Sequence, residues 1–215
     1  VDDFDALYDA TPEYFGAEPE PSLRRFFHLL DPSRRVLDVG CGQGRNTFFL
    51  AHRGYGVDAL DPSRVATRQV EGLADEHGLA VRAICGLFQD LESDVLRYGG
   101  ILLFGLIPLL GRAEIKDLPS LVKTHLDTGG LCFATAFGTW DPDHSRRAES
   151  WAEEGRHSFR SPDGRLRTYL ESGELAALFG EFSIVHSWEG LTPEHRHGDR
   201  PVERHGIAEG IFRCP

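Results

Sequence analysis

The stretch from Arg35 to Ala51 reads RVLDVGCGQGRNTFFLA, and its order of residue types decides the fold. Val36, Leu37 and Val39, interrupted only by Asp38, form a short apolar run. Gly40, Gly42 and Gly44 follow at every second position, and a helical pattern then begins at Asn46. The reading is a strand, a tight loop and a helix. Glycines so spaced let the backbone turn sharply and keep side chains off its surface, so a ligand can lie on the loop and the helix N-terminus. Asp38 falls at the strand's carboxyl end, the edge at which open α/β sheets bind ligands. The spacing is not that of a dinucleotide loop, because GxGxxG counted from Gly40 ends on Arg45 and counted from Gly42 ends on Thr47. A carboxylate beside the loop repels a pyrophosphate and suits a ligand carrying a positive charge and hydroxyls.

At 215 residues the chain fits one domain with a full core. Its net charge of −11, from 23 basic and 34 acidic residues, argues against nucleic acid or an anionic membrane as a general partner. Cys41, Cys85, Cys132 and Cys214 are scattered, and at least three lie in or beside apolar runs. They read as buried thiols of a reducing cytoplasm, not as a disulfide or zinc framework. The longest apolar run, Ile101 to Leu110, is about half of what a membrane span needs. No signal-like segment precedes the first helical pattern, so a cytoplasmic location is expected.

The pattern VLDVGCGQGRN resembles the first motif of class I S-adenosylmethionine-dependent methyltransferases, and GRNTFFLA resembles its variant in tellurite-resistance methyltransferases of the TehB type. The resemblance implies a Rossmann-like α/β fold: a mostly parallel seven-stranded sheet, an antiparallel last strand, and helices on both faces. It also implies S-adenosyl-L-methionine as cofactor, with Asp38, Gly40, Cys41, Gly42, Gly44 and Asn46 around the loop, and Asp61 and Pro62 after the second strand. Asp90, Leu91 and Phe104 complete that implied set, Asp90 accepting from the adenine amino group and Leu91 lying against the ring. Independently of the family, Asp61 lies 21 positions after Gly40, close to the ~20 at which an acid reaches ribose hydroxyls in related folds. It also reads as a helix cap before Pro62, and both roles fit one carboxylate.

The chain reads as one domain, with a helical cover over 1–31, a cofactor-binding core over 32–137, a substrate-side insertion over 138–170, and a helix with a β-hairpin over 171–215. Tyr14 and Phe15 precede the second helix and read either as a wall of the acceptor pocket or as packing on the sheet. Where many relatives carry an Asp at the start of the fourth strand, this chain has Gly100, and no Asn-Pro-Pro-Tyr-type motif follows; amino methylation of DNA or of protein glutamine is thereby disfavoured. The insertion is polar and aromatic, with Trp140, His144, Trp151, His157 and a turn at Ser161-Pro162-Asp163-Gly164. The last hairpin connector carries His195, Arg196, His197, Arg204 and His205, which read as a solvated loop or as a face toward an anionic substrate; a zinc site is disfavoured, and no metal is expected.

Methyl transfer from an activated sulfonium needs alignment and exclusion of water more than acid–base groups, so catalytic residues are hard to see in sequence. His144, His157 and His197 are the candidates for taking a proton near neutral pH. Tyr14, Phe15, Trp140, Arg196, His197 and Arg204 are the candidates for contact with the acceptor. The expected function is methylation of a small molecule, without nucleic-acid or membrane partners and with a homodimer left open. The competing readings are a non-catalytic cofactor-binding module and an NAD-dependent oxidoreductase.

Overall fold

A computed structural model of the chain describes residues 4–92, 97–194 and 202–215. Strands β1 (Val36–Val39), β2 (Val57–Asp61), β3 (Val81–Cys85), β4 (Tyr98–Leu103) and β5 (Leu126–Gly138) run parallel in the order β3-β2-β1-β4-β5. The C-terminal strands β9 (Ser183–Leu191) and β10 (Gly206–Arg213) form an antiparallel hairpin, and β10 pairs antiparallel with β5. The expected seven-stranded sheet is therefore present. A further antiparallel ribbon, β6 (Ala152–Gly155), β7 (Ser158–Arg160) and β8 (Leu166–Leu170), attaches to the end of β5 through Phe137–Tyr169 and Gly138–Leu170. The Ser161 to Gly164 turn joins β7 to β8, with the Gly164 amide donating to the Ser161 carbonyl.

Strand alternation sends side chains to two cores, one on each face of the sheet. Leu37, Val39, Ile101, Leu103, Cys132 and Ala134 pack with Ile115, Leu118 and Val122 of α5 (Arg112–His125) and Leu175 of α7 (Glu174–Leu178). Val36, Leu102, Phe104, Leu131 and Phe133 pack with Leu23 of α2 (Pro21–Phe26) and Leu50 of α3 (Arg45–Ala51). Remaining helices are α1 (Phe4–Ala10), α4 (Arg64–His77) and α6 (Asp143–Ser150). Among the described residues, no helix is long and apolar enough to cross a membrane.

The residue capping α4 is Ser63 and not Asp61: its Oγ accepts from the Ala66 amide, so the helix starts two residues after Pro62 and not on it. Helix α5 begins at Arg112, where the Glu114 carboxylate accepts the Gly111 amide. Residues Asp127 to Gly130 form a bulge inside β5, whose pairing with β4 jumps from Leu126 to Leu131. Cys41, Cys132 and Cys214 are buried, but Cys85 is exposed because it ends an edge strand. A Cβ on Gly100 would sit 2.5 Å from Leu30 Cδ2, so a larger residue there requires the buried Leu30 side chain to move.

Candidate active site

The loop between β1 and α3 is built as its glycines require. Gly40, Gly42 and Gly44 have φ of 70°, 52° and 88°, in the region that disfavours side chains. Their surroundings separate their roles. A Cβ on Gly40 would meet only Leu106 at 3.9 Å, whereas one on Gly42 would press the Tyr8 hydroxyl at 3.0 Å and one on Gly44 would strike Phe48 at 2.7 Å. Gly40 thus keeps the loop open to a cleft, Gly42 admits the N-terminal helix, and Gly44 lets α3 pack on α4.

Asp61, at the end of β2, fixes the loop from the neighbouring strand. Its Oδ2 accepts from the Gly42 amide at 2.9 Å and its Oδ1 from the Ser63 amide at 2.8 Å. Burial raises its pKa against the pull of those two amides. Asp38 behaves differently from expectation. It accepts from the Thr47 hydroxyl at 2.6 Å, is buried beneath the loop, and is not part of the cleft wall. Burial pushes its pKa up to about 6.

A cleft runs along the carboxyl edge of the sheet and is lined by Gly40, Cys41, Gly42, Asn46, Asp61, Pro62 and Phe104 among the expected cofactor residues. Gly44 serves packing instead. Asp90 and Leu91 do not line the cleft: the short turn Phe88–Asp90 carries the chain away from the edge, leaving Asp90 exposed and Leu91 against the core. Gly86, Leu87, Phe88 and Gln89 take that wall.

The N-terminal segment covers the loop, and Gln43 is the main side chain that ties it down. Gln43 Oε1 accepts from the Tyr14 amide at 2.7 Å, while its Nε2 donates to the Thr11 carbonyl at 3.1 Å and to Gln69 Oε1 at 3.1 Å. Asn46 Oδ1 accepts from the Glu20 amide at 2.9 Å, and Ser63 Oγ donates to Asp5. Tyr14 and Phe15 both line the cleft, in edge-on contact with ring centroids 4.8 Å apart.

The acceptor-side candidates fare less uniformly. Trp140 donates through Nε1 to the Gly190 carbonyl at 3.2 Å and fills space over Gly138; it does not line the cleft. Arg204 is exposed and donates to the Thr192 carbonyl, also away from the cleft wall. His144 of α6 and His157 of the ribbon hydrogen-bond each other at 3.1 Å, and His157 reaches Glu171 at 3.2 Å; neither lines the cleft. Burial, and then the His157 charge, lowers the His144 pKa. Arg196 and His197 lie outside the described residues.

Two further groups stand on the cleft wall: His205, which the sequence offered only among the basic residues of the last connector, and Arg147, which it did not single out. His205, at the foot of β10, places Nδ1 3.1 Å from Asp141 Oδ2, and its ring stacks on Phe137 at 4.8 Å. Burial lowers its pKa, but the hydrogen bond and charge of Asp141, with Glu203 and Asp143, outweigh burial and leave it raised. The second is Arg147 of α6, whose Nη2 donates to Asp143 Oδ2 at 2.8 Å. Both partners of the histidine are remote in sequence, 64 residues apart, so no local motif announces the pair. Among the described residues no group of three or more His, Cys, Asp or Glu side chains could hold a metal.

Residues 36–130 match a family model described as "Methyltransferase domain". The chain is 45% identical over 157 residues to "Hemagglutinin 1" of Eikenella corrodens, a match covering 71% of this chain and 48% of that protein. It is 31% identical over 70 residues to a 2-heptyl-1-hydroxyquinolin-4(1H)-one methyltransferase of Mycobacteroides abscessus, covering 33% of this chain and 31% of that protein. The chain thus spans about half or less of the curated relatives it matches. In fold it resembles the crystal structure of TehB from Haemophilus influenzae, with a TM-score of 0.70, 17% identity, and coverage of 99% of this chain and 66% of that one.

Proposed function

We propose that this chain, a class I methyltransferase by the domain over residues 36–130 and by its sheet order, transfers the methyl group of S-adenosylmethionine to a small-molecule acceptor. One observation carries the reading: the glycine loop is open at the carboxyl edge of the sheet, with nothing nearer than 3.9 Å to a Cβ on Gly40, and the Asp61 carboxylate lines the same cleft. These residues suit the cofactor. Backbone from Gly40 to Gly42 gives an uncrowded floor for its amino-acid part. Each Asp61 oxygen spends one lone pair on a backbone amide and retains another for a ribose hydroxyl. Leu87 and Phe88 offer an apolar slot for the adenine ring, with the Gln89 amide beside it in place of an acid.

When bound, S-adenosylmethionine supplies a methyl group on a positively charged sulfur, which an acceptor lone pair displaces to leave the neutral sulfide. The chain's own residues then have three tasks. Tyr14 and Phe15, held by Gln43, exclude water from above the loop. Phe137 and the His205 ring give a flat surface for the acceptor. His205 takes a proton from an acceptor hydroxyl on Nε2, while Asp141 holds Nδ1 and stabilises the imidazolium that results. The name of the Mycobacteroides relative, a hydroxyquinolinone methyltransferase, supports a flat heterocyclic or aromatic acceptor. The net charge of −11 and four cysteines without a disulfide suit a cytoplasmic enzyme with no nucleic-acid substrate.

The test is incubation with S-adenosylmethionine and a panel of phenols, hydroxyquinolinones and aromatic acids, with products followed by mass. Gain of one methyl group on an acceptor, with stoichiometric S-adenosylhomocysteine, is the expected result. Binding of S-adenosylhomocysteine without turnover of any acceptor would favour the non-catalytic module.

A further inference from the structure

Arg147 and Tyr169 carry polar atoms that the protein itself does not satisfy. Arg147 Nε and Nη1 and the Tyr169 hydroxyl are buried and make no hydrogen bond of good geometry among the described residues, although the two side chains lie close enough to interact with each other. Such groups are costly to leave bare, the guanidinium most of all, and they mark places where a ligand completes the bonding. The two side chains are neighbours: Arg147 Cζ lies 5.9 Å from the Tyr169 ring centroid and 5.1 Å from Trp151. Arg147 lines the cleft, and the Phe137 ring that stacks on His205 is 6.0 Å from the Tyr169 ring.

The charge around them points to an anion. From residue 138 to residue 170 the cleft wall bears four arginines, Arg147, Arg160, Arg165 and Arg167, against one carboxylate, Asp163, on a chain whose net charge is −11; Arg160 pairs with Glu154 and Arg165 with Asp163. The two nearby acids are already engaged, Asp143 by Arg146 and Arg147, and Asp141 by His205 and the Gly206 amide. Burial pushes the Tyr169 pKa up to about 12, so its hydroxyl remains a donor.

We propose that Arg147, held by the Tyr169 hydroxyl, binds a carboxylate on the methyl acceptor, which makes the acceptor a flat aromatic acid. That the carboxylate belongs to the acceptor rests on the methyl-transfer reading. Arg147 gives a charge-assisted bond to one carboxylate oxygen, the Tyr169 hydroxyl, buried behind the cleft wall, holds the guanidinium in place, and the ring of the acid lies toward Phe137 and His205.

Calorimetric titration of the protein, saturated with S-adenosylhomocysteine, against benzoate, salicylate and 2-naphthoate and their three uncharged amides tests this. The expected result is binding of at least one carboxylate about tenfold or more tighter than its amide, the preference being lost in R147M and reduced several-fold in Y169F, with S-adenosylhomocysteine affinity unchanged in both. Because R147M removes a guanidinium whose Nε and Nη1 are buried and unbonded, at the loss of one ion pair to half-exposed Asp143, its thermal midpoint should fall little or not at all. Equal binding of acids and amides throughout, or a carboxylate preference that survives in both variants, overturns the proposal, as does a large fall in the R147M midpoint with the preference intact. Failure of S-adenosylhomocysteine itself to bind the unaltered protein would instead reject the methyl-transfer reading.

Discussion

Asp38 and Asp61 show how one residue type serves two ends in one site. Asp38 is wholly buried and its carboxyl titrates near 6, above its unfolded value of about 3.8. An acid with a raised folded pKa binds protons more readily when folded, so its contribution to stability is lost as pH rises from about 4 to about 6. Asp38→Asn should remove that loss. In urea titrations its stability relative to the unaltered protein should grow by about 2–3 kcal/mol between pH 4 and pH 7, and a constant difference across that range would show that Asp38 is ionised at no cost. Asp61 instead faces the cleft. Asp61→Ala should weaken S-adenosylhomocysteine binding by about 1–3 kcal/mol, through lost hydrogen bonds to a charged acceptor. Unchanged affinity would confine Asp61 to its bonds with Gly42 and Ser63. The position of Asp61 at the cleft was legible because chain distance from the loop is fixed by one strand–helix–strand unit. The bond that occupies Asp38 was not, because it depends on Thr47 nine residues away.

At the scale of elements, strands and helices were legible because apolar alternation and glycine stops are local signals, as in β1, α3 and the β9–β10 hairpin. Boundaries and site walls were less so. Asp90 looks like an edge residue until the turn Phe88–Asp90 diverts the chain, and His205 meets Asp141 only once β10 lies beside β5. Two variants probe element contacts. Restoring the family's acid, Gly100→Asp, places a charged side chain against Leu30, and should cost about 3 kcal/mol or more of stability from overpacking and burial of charge; a loss within measurement error would mean that the segment after α2 yields freely. Gln43→Ala removes three bonds that hold the cover, those to the Tyr14 amide and to the Thr11 and Tyr8 carbonyls. Hydrogen exchange should accelerate over residues 4–16 while β1 and β4 amides keep their protection, and uniform acceleration through the sheet would show that Gln43 supports the core rather than the cover.

Across the whole molecule, a parallel sheet with both faces buried brings every βα loop to one edge, which is why one glycine-rich stretch indicated both fold and cofactor class. Acceptor recognition had no such signal. In the reading proposed above it draws on the ribbon, α6 and the last hairpin, whose side chains meet only in three dimensions, so no local pattern singled out Arg147. The central claim is that this edge holds S-adenosylmethionine and not a dinucleotide. Direct titration of the purified protein with S-adenosylhomocysteine and, separately, with NAD measures it: saturable binding of the sulfur nucleoside with no response to NAD is predicted, and saturable NAD binding with no response to S-adenosylhomocysteine would contradict it.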